Sequence, residues 1–233
     1  MGKTLFWTRP LEDWQGDLQK FPALKEFFHL PLTSQMKLPI QVIPPKGAVI
    51  IVTSPKAATM MLDDSKLSQA LRSVDFLSFS KKVSEYLPSD RLELIRAANA
   101  EGMIEELIRR PDLRNRKFYF LGAKEPAFPI AETMQDKGYS CVHVPIYETL
   151  ARDTLTEREV KRLEGGGIVC LASPSAARSF LKLIESYGFD PFSFELIVIG
   201  STTADACGDR KKQMSVLSLS SLENLISGAF NRR

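Results

Sequence analysis

Residues 52–62 read "VTSPKAATMML" and residues 171–181 read "LASPSAARSFL". Each overlaps the end of a short apolar run, "AVIIV" at 48–52 and "GIVCL" at 167–171. Continuous apolar runs of this length, closed by a turn signal, predict strands buried on both faces of a parallel sheet. The turns predict helix starts, with Ser54 and Ser173 as N-caps. Pro55 and Pro174 then take the first helical position, where a missing N–H costs nothing.

Other segments recur in the same order. "KTLFWTRP" (3–10) opens the first half and "KFYFLGAKEP" (117–126) the second. "DFLSFSKKVSEYL" (75–87) answers "FELIVIGSTTADAC" (194–207), each predicted as strand, turn and helix. "NAEGMIEELIRR" (99–110) answers "SSLENLISGAFNRR" (220–233) as an amphipathic helix. Four matching units in one order imply a duplicated α/β chain with parallel sheets, whose ligands sit beyond the carboxyl ends of the strands. A helix is expected near 22–29, and two edge-like strands, one carrying Leu38, Ile40 and Val42 and one within 140–150, are expected to pair as a connector. Pro39, Pro44, Pro45 and Pro145 disfavour central strands there.

With 233 residues, 44% hydrophobic and 25% charged, the chain has the make-up of a soluble globular protein of one or two domains. A formal charge of +3, with basic residues scattered, suits a small acidic substrate better than nucleic acid; the densest cluster, "IRRPDLRNRK" at 108–117, reads as a solvated helix end. Cys141, Cys170 and Cys207 show no CxxC pairing and read as reduced core thiols. Neither a signal peptide nor a membrane span is expected, and the compartment is expected to be the cytoplasm.

The predicted strand-to-helix turns supply the candidate binding groups: Thr53 and Ser54, Ser173 and Ser175, and Gly200, Ser201, Thr202 and Thr203. Helix N-termini present N–H donors and a favourable dipole to carboxylates, although each turn reads equally as a cap satisfying its own N–H groups. "GSTT" at 200–203 lacks the P-loop spacing and lysine, and the glycines of "EGGGIVC" precede a strand where a dinucleotide fingerprint must follow one. Gly165 to Gly167 therefore read as a flexible turn. His29 reads as a surface residue and His143 as a connector-strand residue.

The order "TRP" (8–10), "TSP" (53–55), "EG" (101–102), "VPIYET" (144–149), "SPSAARSFL" (173–181) and "VIGSTTADA" (198–206) resembles the uroporphyrinogen-III synthase family over essentially the whole chain. The resemblance implies two flavodoxin-like lobes with parallel sheets, joined by a two-stranded β-ladder, with the active-site cleft between them. It places residues 1–36 with 152–233 in one lobe and 42–146 in the other, with 37–41 and 147–151 as linkers. The implied enzyme is a cyclising hydro-lyase of haem biosynthesis. Hydroxymethylbilane, a linear tetrapyrrole, loses its terminal hydroxyl as water and closes through an azafulvene and a spiro intermediate to uroporphyrinogen III, with ring D inverted. No metal or organic cofactor, no nucleic acid and no membrane are implied; the expected state is a monomer in transient contact with hydroxymethylbilane synthase.

Because the substrate closes spontaneously to the wrong isomer, positioning and fixed dipoles should outweigh strong acids or bases. Tyr147 stands where the family's "YxT" tyrosine sits and would assist loss of the hydroxyl; it reads otherwise as an amphipathic aromatic at a strand end. Arg9 aligns with the "TRP" arginine as a propionate partner, and Lys124, Lys56 and Arg178 lie just past turns as helpers or solvated charges. Ser80 and Val83 replace a usual glycine and threonine, and Leu121 a usual arginine. A non-catalytic tetrapyrrole- or polyanion-binding homologue is the alternative.

Overall fold

The computed structural model describes residues 2–209 and 215–233. Its strands are β1 Leu5–Trp7, β2 Phe28–His29, β3 Thr33–Lys37, β4 Val49–Ile51, β5 Asp75–Ser78, β6 Leu92–Leu94, β7 Lys117–Ala123, β8 Ser140–Ala151, β9 Gly167–Leu171, β10 Phe194–Ile199 and β11 Ser215–Leu219. Among the described residues they form two sheets, ordered β11-β10-β9-β1-β2 and β3-β8-β7-β4-β5-β6. The first is parallel throughout, and the second is parallel from β8 to β6.

The repeat explains both orders. Taking β7, β8, β4, β5 and β6 as the counterparts of β1, β2, β9, β10 and β11, the two sheets have one arrangement. Each set of five matched strands draws two from one half of the duplication and three from the other, and β3 is an additional strand of the second sheet. The first sheet has the flavodoxin-like order, with its switch point between β1 and β9. The chain divides into compact units Met1–Gln35 with Leu150–Arg233 and Met36–Thr149, so it passes from one to the other within β3 and within β8.

Side-chain alternation covers each sheet on both faces. In the first unit, Phe6, Val169, Leu196 and Val198 pack with Phe180 and Leu183 of the helix Pro174–Tyr187. On the other face Leu5, Trp7, Ile168, Cys170 and Ile197 meet Leu225 and Ala229 of the helix Leu222–Phe230. In the second unit, Ile50, Val52, Phe76 and Leu121 pack with Ala57 and Met61 of the helix Pro55–Leu62. Val49, Ile51, Phe118 and Phe120 pack with Met103 and Leu107 of the helix Ala100–Ile108. All three cysteines are buried.

Several local expectations change. The segment at 22–29 is a short 3-10 turn, Pro22–Glu26, followed by β2. Lys81–Glu85 is likewise a 3-10 turn where a helix was expected. β3 lies at Thr33–Lys37, ahead of the Leu38–Val42 alternation, because the prolines that follow cannot donate to a ladder. Leu38 N–H still donates to Ile146 C=O, and Arg152 N–H to Leu32 C=O; one number rises as the other falls, so β3 and β8 run antiparallel. β8 is not an edge strand, for it lies between β3 and β7. It accepts Pro145 because the register slips there, Gly122 facing Pro145 and Ala123 facing Tyr147, which leaves Ile146 as a bulge.

Gly166 and Gly167 are a close-approach site rather than a flexible turn. Gly167 has φ +151°, and a Cβ there would stand 2.4 Å from the carbonyl oxygen of Thr4, beside the β1–β9 pairing. Gly167→Ala should therefore lower stability by about 2–4 kcal/mol, through strain and displaced backbone. Gly16, in the helix Leu11–Lys20, has nothing within 4 Å of such a Cβ, so Gly16→Ala should raise stability by up to about 1 kcal/mol. Denaturant titration of the two variants checks both signs.

Candidate active site

Parallel strands collect their carboxyl ends on one edge of each sheet, the edge at which open α/β folds bind ligands. In the first unit that edge carries Thr8 and Arg9 after β1, Ser173 and Ser175 after β9, and Gly200 to Thr203 after β10. In the second it carries Thr53 and Ser54 after β4, Ser80 after β5 and Lys124 after β7. Tyr147 lies in β8, opposite Ala123.

The two Ser-Pro turns are built alike. Ser54 Oγ accepts from Ala57 N–H at 3.1 Å and Ser173 Oγ from Ala176 N–H at 3.2 Å, each ahead of a proline at the helix start. Ser173 Oγ also lies 3.1 Å from Ser175 Oγ. Tyr147 packs against the core that holds Val52, Ala57 and Ile146. Burial pushes its phenol above the ordinary tyrosine value, against a weaker opposing pull from Ser54, so at neutral pH it keeps its proton. Beside it, Lys124 N–H donates to Tyr147 C=O at 2.7 Å, and Lys124 Nζ donates to Glu148 Oε1 at 2.9 Å.

In the first unit Arg9 is held by two carboxylates, Nη1 donating to Asp17 Oδ1 at 2.5 Å and Nη2 to Asp13 Oδ2 at 2.9 Å. Trp7 Nε1 donates to Asp17 Oδ2 at 3.1 Å. Burial outweighs these bonds at Asp17 and raises its carboxyl above the usual range. Thr8 is buried and donates to Cys170 C=O at 2.6 Å, tying the end of β1 to β9. Thr203 is also buried, while Ser201 and Thr202 are exposed at the start of the helix Gly200–Asp205, which Gly200 enters at φ +72°. Arg178 is exposed and Lys56 half-buried. Val83 and Leu121 both lie in the core of the second unit, so these two side chains face the interior rather than the carboxyl edge.

The histidines hold a relation that the repeat made available and the residue types hid. Trp7 pairs with His29 in one sheet and Phe120 with His143 in the other. Trp7 also faces Cys170, and Phe120 faces Ile51, which precede the two copies of the opening motif by one residue. The imidazoles therefore occupy equivalent positions, and each Nε2 lies 2.9 Å from a carbonyl oxygen at the end of the neighbouring strand, Arg9 or Ala123. His29 is not a surface residue: it is half-buried and stacks on Trp14, with ring centroids 4.2 Å apart.

Among the described residues no three His, Cys, Asp or Glu side chains gather as a metal site, and no helix is long and apolar enough to cross a membrane. At the amino edge of the second sheet, a cavity of about 290 Å³ is lined by Asp75, Arg91, Glu93, Arg110, Asp112 and Arg116. Its charges pair among themselves, Arg116 with Asp75 at 2.7 Å and Arg110 with Asp112 at 2.9 Å.

Residues 10–220 match the family described as uroporphyrinogen-III synthase HemD. The chain belongs to the uroporphyrinogen-III synthase family. Uroporphyrinogen-III synthetase from Helicobacter pylori is similar in structure, with a TM-score of 0.70 at 20% identity, covering 99% of this chain and 100% of that one. A mutant uroporphyrinogen III synthase from Thermus thermophilus gives a TM-score of 0.59 at 13% identity, covering 99% and 98%. At these identities the likeness establishes the fold. No curated protein sequence matches the chain.

Burial lowers the His29 imidazole below its ordinary value, against the opposing pull of the Arg9 carbonyl, Asp17 and Glu159. The unfolded chain then takes up that proton first, so this contribution to stability is whole above about pH 6.5 and falls as the pH drops below it. His29→Gln should flatten the acid side of the stability profile. Thermal midpoints of both proteins between pH 7.5 and 5.5 check this, with the wild type showing the steeper fall.

Proposed function

We propose that the chain cyclises hydroxymethylbilane to uroporphyrinogen III, with the Tyr147 phenol as proton donor to the departing hydroxyl. Support comes from family membership over residues 10–220, together with a half-buried, protonated phenol opposite the last residue of β7, at the carboxyl edge of a parallel sheet.

The proton passes to the hydroxyl as the C–O bond breaks, and the electron pair of the adjacent pyrrole nitrogen fills the bond to carbon. Water leaves and a nitrogen-protonated azafulvene remains. After the new carbon–carbon bond has formed and ring D has inverted, the carbon that regains aromaticity releases a proton, which restores the phenol. Positioned general acids contribute roughly 10²–10⁴-fold, and holding the flexible chain in one closing geometry supplies much of the remainder.

Substrate carboxylates are received by the hydroxyls of Thr53, Ser173, Ser175, Ser201 and Thr202 and by the N–H groups of the turns that carry them, with Gly200 admitting the close backbone approach. Lys124 adds a positive charge whose strength Glu148 tempers. Arg9, already matched by Asp13 and Asp17, holds the turn after β1 in shape, and Thr203 supports its helix from within. The proposal extends to a monomer in the cytoplasm that takes its short-lived substrate from hydroxymethylbilane synthase in transient contact. Three buried cysteines without CxxC pairing suit such a reducing compartment.

A coupled assay, with hydroxymethylbilane synthase supplying fresh substrate and the oxidised isomers separated by chromatography, tests both parts. Isomer III in excess over the protein-free control is expected. Tyr147→Phe should lower kcat by about 10²-fold or more with little change in product affinity. Isomer I alone from folded protein would favour a binding homologue, and an unchanged kcat would remove Tyr147 from its role.

A further inference from the structure

We propose that His143 is a positioning residue for Tyr147, acting through the single peptide group that joins Ala123 to Lys124. The inference rests on Tyr147 as the donor to the departing hydroxyl.

His143 Nε2 lies 2.9 Å from the carbonyl oxygen of Ala123. A carbonyl can only accept, so Nε2 carries the hydrogen in this bond. The same peptide group presents Lys124 N–H at its other end, and that N–H donates to Tyr147 C=O at 2.7 Å. The group is trans and planar, so its two ends cannot turn independently. Hydrogen bonds in series also polarise one another, so a peptide that accepts at oxygen is a better donor at nitrogen.

Tyr147 depends on that bond more than a residue of a regular strand would. Just ahead of it Pro145 has no N–H and Ile146 is the bulge. Ile146 C=O is taken from the side of β3, by Leu38 N–H at 3.0 Å, and toward β7 it is Lys124 N–H that holds Tyr147 C=O. The neighbouring bond from Lys124 Nζ to Glu148 joins an exposed lysine to a half-buried glutamate, and pairs of that kind hold weakly in water. His143 is half-buried, and its ring is stacked on Phe120 with centroids 5.1 Å apart.

The duplicated unit supplies an internal comparison. His29 Nε2 lies at the same 2.9 Å from Arg9 C=O, but the next residue is Pro10, which has no N–H to pass the hold onward. Only in the second unit does the chain of bonds continue to another strand, and that strand carries Tyr147.

Three substitutions separate the donor from the ring. His143→Phe keeps a ring to stack on Phe120 and removes the donor. His143→Gln carries an amide N–H at nearly the reach of Nε2, and His143→Asn carries one that is a methylene short. Measured as isomer III formation, His143→Phe and His143→Asn should each lower kcat by about 3–10-fold with KM within about threefold, and His143→Gln should restore most of it. In a Tyr147→Phe background, His143→Phe should have no further effect on kcat. The bond is read without any activity from hydrogen exchange of the Lys124 amide, which should quicken by about fivefold or more in His143→Phe and stay near wild type in His143→Gln. Amides of the central strands, such as Ile51 and Leu77, should keep their wild-type rates in both.

Wild-type kcat in His143→Phe, an equal loss in His143→Phe and His143→Gln, or a loss that persists in full without the Tyr147 hydroxyl overturns the proposal. Wild-type protein that yields only isomer I refutes the enzyme reading itself, and amide exchange at Lys124 then decides the His143 bond on its own.

Discussion

The parallel pairings β1 with β9 and β4 with β7 are the contacts on which the rest of the structure depends. Each joins strands from opposite halves of a duplicated chain, Phe6 against Val169 in one sheet and Ile50 against Tyr119 in the other. Without them neither sheet has its central strands, and neither core closes. These pairings bring the Thr8–Arg9 turn beside Ser173 and the Lys124 turn beside Thr53 and Ser54. The close packing at Gly167, where a side chain would meet the backbone of Thr4, shows how little slack the first pairing leaves.

Duplication supplied two turns of one design, and chemistry distinguishes them. In the first unit the charged groups near the turn after β1 close on themselves, with Arg9 tied to Asp13 and Asp17 and Asp17 also bound by Trp7. In the second, the corresponding strand end leads to Lys124, and β8 past its bulge sets Tyr147 opposite Ala123. The one-residue slip at Pro145 and Ile146 matters here. A regular ladder would turn the side chains beyond it to the opposite face.

Local pattern was enough for the elements that depend on it. The runs at 48–52 and 167–171 hold buried central strands, and Ser54 and Ser173 cap the helices that follow. Less of the segment at 28–46 was legible, because β3 ends where prolines deny it donors and its pairing with β8 is set by a distant strand. His29 looked like a surface residue because its burial depends on Trp14 and on β1, neither of which its neighbours in sequence reveal. The two histidines, by contrast, follow equivalent strands at nearly the same interval, and laying one repeat over the other would have shown it.

The most direct test is to follow backbone amide shifts of isotopically labelled protein as uroporphyrin III, the oxidised product, is added. The largest changes should fall at the carboxyl edges, at Thr53, Ser54 and Tyr147 and at Ser173, Ser175, Ser201 and Thr202, with Asp75, Glu93 and Arg116 at the amino edge unmoved. Changes centred on that amino-edge cavity, with Tyr147 and both Ser-Pro turns silent, would contradict the account.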